Sequence, residues 1–168
     1  MTDGFHPDLP RRPLRHVCAA EVDAETAQSA GMQRFAAISN ATVGSERLWM
    51  GQTHVQPSTR SDDHHHGEAE TAIYVLSGTP EFVFLDERTG AEVRIRTAPG
   101  DYVFVPPYTP HREENNDPNV EAVVVLARST QEAIVVNLPS LDSGVDTNRH
   151  PAREQTPTTD RPQRPTPS

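Results

Sequence analysis

From Phe35 to Leu138 the chain is a succession of short apolar or alternating runs, each separated from the next by turn residues such as Ser77-Gly78 and Pro99-Gly100. β-Branched and aromatic residues dominate these runs, which is typical of strands. Closely spaced strands without helical segments between them predict an all-β sandwich or barrel. The predicted strands are Phe35–Ser39, Arg47–Gln56, Ala72–Leu76, Glu81–Asp86, Glu92–Thr97, Asp101–Pro106, Glu121–Arg128 and Ala133–Leu138.

The strand pattern occupies only part of the 168 residues, a length that fits one domain. Residues 1–14 carry three prolines and are predicted to be a flexible arm, and residues 15–138 the folded domain. Residues 139–168 contain six prolines but only Leu141, Val145 and Ala152 as apolar residues, so we expect a disordered tail. A short helix is predicted over Asp23–Gly31.

The charge balance excludes several classes of function. The net charge of -9 opposes binding to a phosphate backbone, so nucleic acid is not an expected partner. All 15 basic residues are Arg, which excludes Schiff-base and P-loop lysine chemistry. Cys18 is the single cysteine, and the sequence shows neither a signal-like nor a membrane-spanning apolar stretch. We therefore expect a cytoplasmic protein with no membrane partner.

The segment SDDHHHGEAETAIYVLSG, residues 61–78, carries the first candidate site. On a strand His64 and His66 share one face and His65 points to the other. Glu70 is near enough in sequence to add a carboxylate, and His111 follows a later loop on another predicted strand. Imidazole nitrogens with a carboxylate suit iron, manganese, zinc, nickel or copper better than calcium or magnesium. The alternative is a surface histidine tract with incidental metal affinity.

A second segment runs from Gly100 through Pro106 and His111 to Asn115. Together the two segments resemble the motifs of the cupin family. In that family HxH, three or four residues, Glu, six residues and Gly form the first motif, and G-x5-P-x-G-x2-H-x3-N the second. His64, His66 and His111 match the metal-binding histidines, and Gly78, Gly100, Pro106 and Asn115 match structural positions.

The match has two departures. Tyr108 stands where the family usually has a turn glycine. Counting from His66 places Glu70 at the carboxylate position, whereas counting back from Gly78 places Thr71 there. We favour Glu70, because a one-residue β-bulge would reconcile both counts and bulges are frequent beside sites.

The resemblance covers about Trp49–Leu138 and implies a double-stranded β-helix, the jelly-roll barrel, with a divalent transition metal held near one mouth by His64, His66, Glu70 and His111. It also implies a small-molecule substrate and a homodimer. The leading hypothesis is a metal-dependent cupin enzyme, in first place a non-haem metal oxygenase of dioxygenase type. Alternatives are a Lewis-acid isomerase or cyclase, and a non-catalytic module that binds a metabolite or sugar.

Candidates for catalytic residues come from alternation and from the loop before His111. Gln52 and His54 share one face of the strand Leu48–Gln56, where they would contact the site if that face points inward. If it points outward, they are ordinary surface residues. Tyr108 is a third candidate, as a side chain lining a substrate pocket.

Overall fold

The structure is a computed structural model that describes residues 13–26, 29–131 and 134–144. These residues form mostly short strands, joined by one helical turn, α1 (Asn40–Val43), and two 3-10 turns, Ala19–Glu21 and Leu141–Gly144. The strands are β1 (Met32–Ile38), β2 (Trp49–Val55), β3 (Thr59–Arg60), β4 (His64–His65), β5 (Thr71–Ser77), β6 (Glu81–Leu85), β7 (Glu92–Arg96), β8 (Tyr102–Val105), β9 (His111–Asn115), β10 (Ala122–Arg128) and β11 (Val136–Asn137).

The strands form two antiparallel sheets. The first has the order β1-β2-β10-β5-β8, and the second has the order β11-β4-β9-β6-β7, with β3 paired to β9 at one end. Strands distant in sequence are therefore neighbours in each sheet, as in a jelly roll. The predicted all-β jelly-roll fold is confirmed.

The hydrophobic core lies between the inner faces of the two sheets. Strand β2 illustrates how alternate side chains reach this core, because every second residue of the strand is buried and the residues between them are half-buried. The buried residues are Trp49, Gly51, Thr53 and Val55. Side chains from both sheets meet in this layer. Its main cluster consists of Ala36, Trp49, Ile73, Val75, Phe82, Val103, Val105, Val124 and Leu126.

Two residues of the family motifs have structural roles. Gly78 has φ +74, and a Cβ there would lie 2.6 Å from the Cα of Ala122, so any side chain would collide with β10. The amide nitrogen of Asn115, which is 1% exposed, lies within hydrogen-bond distance of the carbonyls of Val55, Gln56 and Val120 at 3.0, 3.2 and 2.8 Å. Asn115 therefore ties the end of β2 to the loop before β10.

Most predicted strands are present with shifted ends, and two of them that are consecutive in the sequence, β6 and β7, pair as an antiparallel hairpin. The helix predicted over Asp23–Gly31 is wrong in its described residues. Asp23 instead pairs with Ala36 and Ser29 with Met32, so this segment adds to the edge of β1. Sheet pairing with β1 outweighs the local capping signal. The tail beyond Gly144 and the arm before Pro13 lie outside the described residues.

Candidate metal centre

Strands β4 and β9 bring the candidate histidines together. His64 and His111 are directly opposite each other in the ladder, and His66 follows His64 on the same side. Their ring centroids are 4.5 Å apart for His64–His111, 4.7 Å for His66–His111 and 5.2 Å for His64–His66. All three side chains are buried. The sequence thus predicted correctly that imidazoles from two distant segments share one face.

The carboxylate in this cluster is that of Glu113, which the sequence analysis did not single out. One potential ligand atom from each of His64, His66, His111 and Glu113 lies within 4.8 Å of the others. Glu113 follows His111 by two residues on β9, so strand alternation turns both side chains inward. The same alternation that pairs His64 with His66 was the signal that could have identified it.

The expectation for Glu70 is corrected by the structure. Glu70 lies just before β5 with its side chain exposed, and its backbone groups bond to Ser129. Thr71 begins β5 and points inward, fully buried, with its hydroxyl 2.8 Å from His66 Nδ1. The position counted back from Gly78 therefore carries a threonine that orients an imidazole, and no bulge returns Glu70 to the interior.

The hydrogen bonds fix the tautomer of each imidazole. His64 Nδ1 lies 2.9 Å from the carbonyl of Asp62, and His111 Nδ1 lies 2.9 Å from the carbonyl of Thr109. A carbonyl only accepts, so both Nδ1 atoms donate and both Nε2 atoms keep a lone pair. Among the described residues His111 Nε2 has no hydrogen-bond partner although it is buried. Such support of a ligand through its far nitrogen is typical of metal-binding histidines.

His66 has the same tautomer for a different reason. Its Nε2 lies 3.3 Å from Nη2 of Arg128, and because a guanidinium can only donate, Nε2 accepts and Nδ1 donates to Thr71. Burial, with the adjacent charge of Arg128, lowers the pKa of His66 far below its ordinary value. Burial likewise lowers the pKa of His111 to about 4. Both imidazoles are therefore neutral at physiological pH, as metal ligation requires.

The remaining charges at the cluster are one carboxylate and two guanidinium groups. Burial raises the pKa of Glu113, but electrostatic interactions with nearby imidazole and guanidinium groups outweigh it and lower that pKa overall. These groups are His64, His111, Arg34 and Arg128. Burial lowers the pKa of Arg128 to about 10, which leaves the guanidinium charged at neutral pH. Neither arginine was predicted from the sequence, although alternation along Ala122–Arg128 places Arg128 on the core face.

The donor set fits a divalent transition metal. Typical bonds from zinc to nitrogen or oxygen are about 2.0–2.2 Å, so two ligand atoms on one ion are at most about 4.4 Å apart. The ligand atoms of the cluster lie within 4.8 Å of one another, so small side-chain movements would bring them to one ion. Three imidazoles and one carboxylate could hold iron, manganese, zinc, nickel or copper, and this donor set leaves the choice among them open.

The other predicted site residues lie outside this cluster. His54 is on the outer face of β2, where its Nδ1 lies 2.7 Å from Glu121 and its ring contacts that of Phe35. Gln52 lies on the same outer face, in a surface groove beside His16. Of the two alternatives for this polar face, the structure shows the outward one, since the apolar layer of the core takes the other face. The candidate catalytic roles of Gln52 and His54 at the cluster are therefore not supported.

Tyr108 lies in the loop between β8 and β9, half exposed, with its ring 5.9 Å from that of His65. Its φ of 58° is left-handed, so the chain keeps there the conformation for which the family uses glycine, at a cost of about 1–2 kcal/mol. His65 points away from the cluster and accepts a hydrogen bond at Nδ1 from the backbone of Gly67. The predicted opposite orientation of His65 is therefore confirmed.

Comparison with known proteins agrees with the fold. The family model described as a cupin domain matches residues 51–127, which include both motif segments, and this part of the chain is a cupin domain. No curated protein is significantly similar in sequence to this chain. Within the described residues no helix is long and apolar enough to cross a membrane.

Many solved structures share the architecture. The polyketide cyclase RemF from Streptomyces resistomycificus is 22% identical with a TM-score of 0.59, over 79% of this chain and 90% of that protein. An oxalate decarboxylase from Lactobacillus farciminis is 13% identical with a TM-score of 0.59, over 69% of this chain and 34% of that protein. An oxalate oxidase bound to glycolate is 18% identical with a TM-score of 0.57, over 68% of this chain and 59% of that protein. The chain spans about a third of the oxalate decarboxylases it matches.

Proposed function

We propose that this protein is a metal-dependent cupin enzyme that acts on a small organic molecule. The observation that carries the proposal is the cluster of His64, His66, His111 and Glu113, three imidazoles and a carboxylate whose potential ligand atoms all lie within 4.8 Å of one another. Four protein ligands leave positions open on an ion that takes five or six ligands in total. A bound iron would supply redox chemistry with dioxygen, and a bound zinc or manganese would supply a Lewis acid.

The chain itself prepares the cluster for this chemistry. The carbonyls of Asp62 and Thr109 and the hydroxyl of Thr71 hold the three rings in one orientation. The aromatic side chains of Phe82 and Phe84 lie opposite Glu113 and His111 across the β6–β9 ladder. An apolar wall beside the ligands excludes water and strengthens the electrostatic interactions of a bound substrate.

Within this class we place a non-haem metal oxygenase first. A Lewis-acid cyclase is the second candidate, favoured by the similarity to the polyketide cyclase, whose length this chain covers almost completely. The two differ in their need for oxygen. An oxygenase consumes dioxygen with its substrate, whereas a cyclase turns over at the same rate under nitrogen.

Untagged protein purified without chelators is expected to carry about one transition-metal ion per chain, because the four ligands form a single site. Elemental analysis measures this. Iron-loaded protein is then expected to take up oxygen in the presence of phenolic, thiol or keto-acid substrates. Oxygen-independent turnover of the same substrates would favour the cyclase, and protein that binds no transition metal stoichiometrically would contradict the whole class.

A homodimer and a cytoplasmic location remain predictions. The outer face of β5 and β8 supports the dimer, since Leu76, Tyr102 and Phe104 are 48, 79 and 59% exposed there. Exposed apolar patches of this kind mark interaction surfaces. The chain carries a net charge of -9, and an uncharged face is where two such copies repel each other least.

The double substitution Tyr102→Ser and Phe104→Ser is therefore expected to convert the dimer to a monomer. Sedimentation equilibrium measures the mass. Val120→Ser is the matched control, because Val120 is a similarly exposed apolar residue in the loop after β9. The control should leave the mass unchanged. A wild-type protein that is monomeric at high concentration would contradict the prediction.

A further inference from the structure

Arg128 is a buried cation beside the ligand cluster, where the carboxylate of Glu113 acts on it without forming a salt bridge. It ends β10, is 3% exposed, and has its guanidinium carbon 5.8 Å from the centre of the Trp49 ring. Nη1 donates to the carbonyl of Ile134, Nη2 to His66, and Nε has no hydrogen-bond partner in the described part of the chain. Among those residues none places a carboxylate oxygen within salt-bridge distance of Arg128. Burial of a charge in such surroundings is costly unless a counter-charge arrives.

A second guanidinium acts on the same space. Arg34 points inward from β1, is 6% exposed, and donates from Nη1 to Ser29. Its positive charge contributes to lowering the pKa of both Glu113 and Arg128. Across the ladder from Arg34 lies Thr53, whose buried hydroxyl has no partner among the described residues. Two guanidinium groups, those of Arg34 and Arg128, thus act on the space that holds Glu113.

We propose that Arg128, assisted by Arg34, binds the anionic group of the substrate beside the metal, and that the substrate is an organic anion of the carboxylate class. Guanidinium groups pair with carboxylates through charge-assisted hydrogen bonds, which are about twice as strong as neutral ones. An anion there satisfies the free N–H of Arg128. This inference rests on the proposed function, because it places the anion next to the bound metal.

The contact between Arg128 and His66 couples the two binding events. The Nε2 lone pair of His66 is given either to Nη2 of Arg128 or to a metal ion, and never to both. Ligation by His66 therefore releases an N–H of Arg128, which becomes available to the anion. Metal and anion should accordingly increase each other's affinity, and the coupling must be reciprocal.

The test is calorimetric titration of full-length, untagged protein with Zn²⁺, followed by titration of the zinc-loaded protein with glycolate and with its uncharged analogue glycolamide. We expect glycolate to bind more than about tenfold more tightly than glycolamide, because a hydrogen bond to a charged group contributes about 1.5–3 kcal/mol. Arg128→Gln should remove most of this preference while leaving zinc binding at least as tight as in the wild type. Arg34→Gln lies on another strand, β1, and should also weaken glycolate binding. It provides a second test of the proposal if Arg128→Gln does not fold.

Arg96→Gln is the matched control, since Arg96 is an arginine on β7 with an exposed side chain. It should keep the full preference for glycolate. Zinc-loaded protein that binds glycolate no better than glycolamide, or an Arg128→Gln protein that keeps the preference, would overturn the anion site and leave the metal centre standing. Protein that does not bind zinc at all would instead refute the proposed function.

Discussion

His111→Ala is expected to abolish stoichiometric metal binding and lower the affinity for Zn²⁺ or Mn²⁺ by more than about 100-fold. Loss of a residue that merely supports a ligand already costs about 10–100-fold, and His111 is proposed as a ligand itself because no described residue satisfies its buried Nε2. Calorimetric titration of untagged protein measures the affinity. His64→Ala should have the same effect, because the two rings face each other across the β4–β9 ladder.

His65→Ala is the control that separates a built site from a surface histidine tract. His65 is adjacent to His64 in sequence, yet its ring contacts Tyr108 and accepts from Gly67, away from the cluster. Metal affinity should change by less than about threefold. Equal losses in all three alanine variants would contradict the geometry, since a tract binds through any of its histidines.

The second large effect is expected from Glu113→Gln. The substitution keeps the shape of the side chain but removes the single carboxylate among the three imidazoles. We expect metal affinity to fall by at least about 10–100-fold, the range for loss of a residue that only supports a ligand. Titration with the same ion under the same buffer conditions gives the comparison.

Glu70→Gln is the matched control for Glu113→Gln. Both substitutions remove one acidic charge, but Glu70 is exposed and anchored to Ser129 only through its backbone. Its metal affinity should stay within about threefold of the wild type. If Glu70→Gln lost more affinity than Glu113→Gln, the carboxylate would belong at the position that counting from His66 selects.

The fold could be predicted because its determinants are local. Alternation along β2 and β5, turn residues between the runs and the two motif segments are all visible in the sequence, and the structure agrees with them. The two-residue strands β3, β4 and β11 are different, because pairing with distant partners rather than their own composition makes them strands. The segment Asp23–Gly31 failed for the same reason, since its pairing with β1 overrides a capping signal.

The candidate site was predictable in its imidazoles and not in its charges. His64, His66 and His111 follow from strand periodicity and motif spacing. Glu113 and Arg128 obey the same periodicity, but a charged residue at an inward position is read as exposed unless its partner is known. The partner of Glu113 is a group of side chains on other strands, and that of Arg128 is His66, which is 62 positions away in sequence. Such pairings exist only once the sheets have formed.

His64 opposite His111 is the single ladder pair between β4 and β9. A bound ion would therefore also affect the register of these two strands. A slip of one residue would place Arg112 opposite His64 and turn His111 to the outside, so only the native alignment can be cross-linked by a cation. The ion would therefore cross-link two strands that lie far apart in the sequence. At a free concentration of about 100 times its Kd, it would add about 2.7 kcal/mol to the free energy of unfolding.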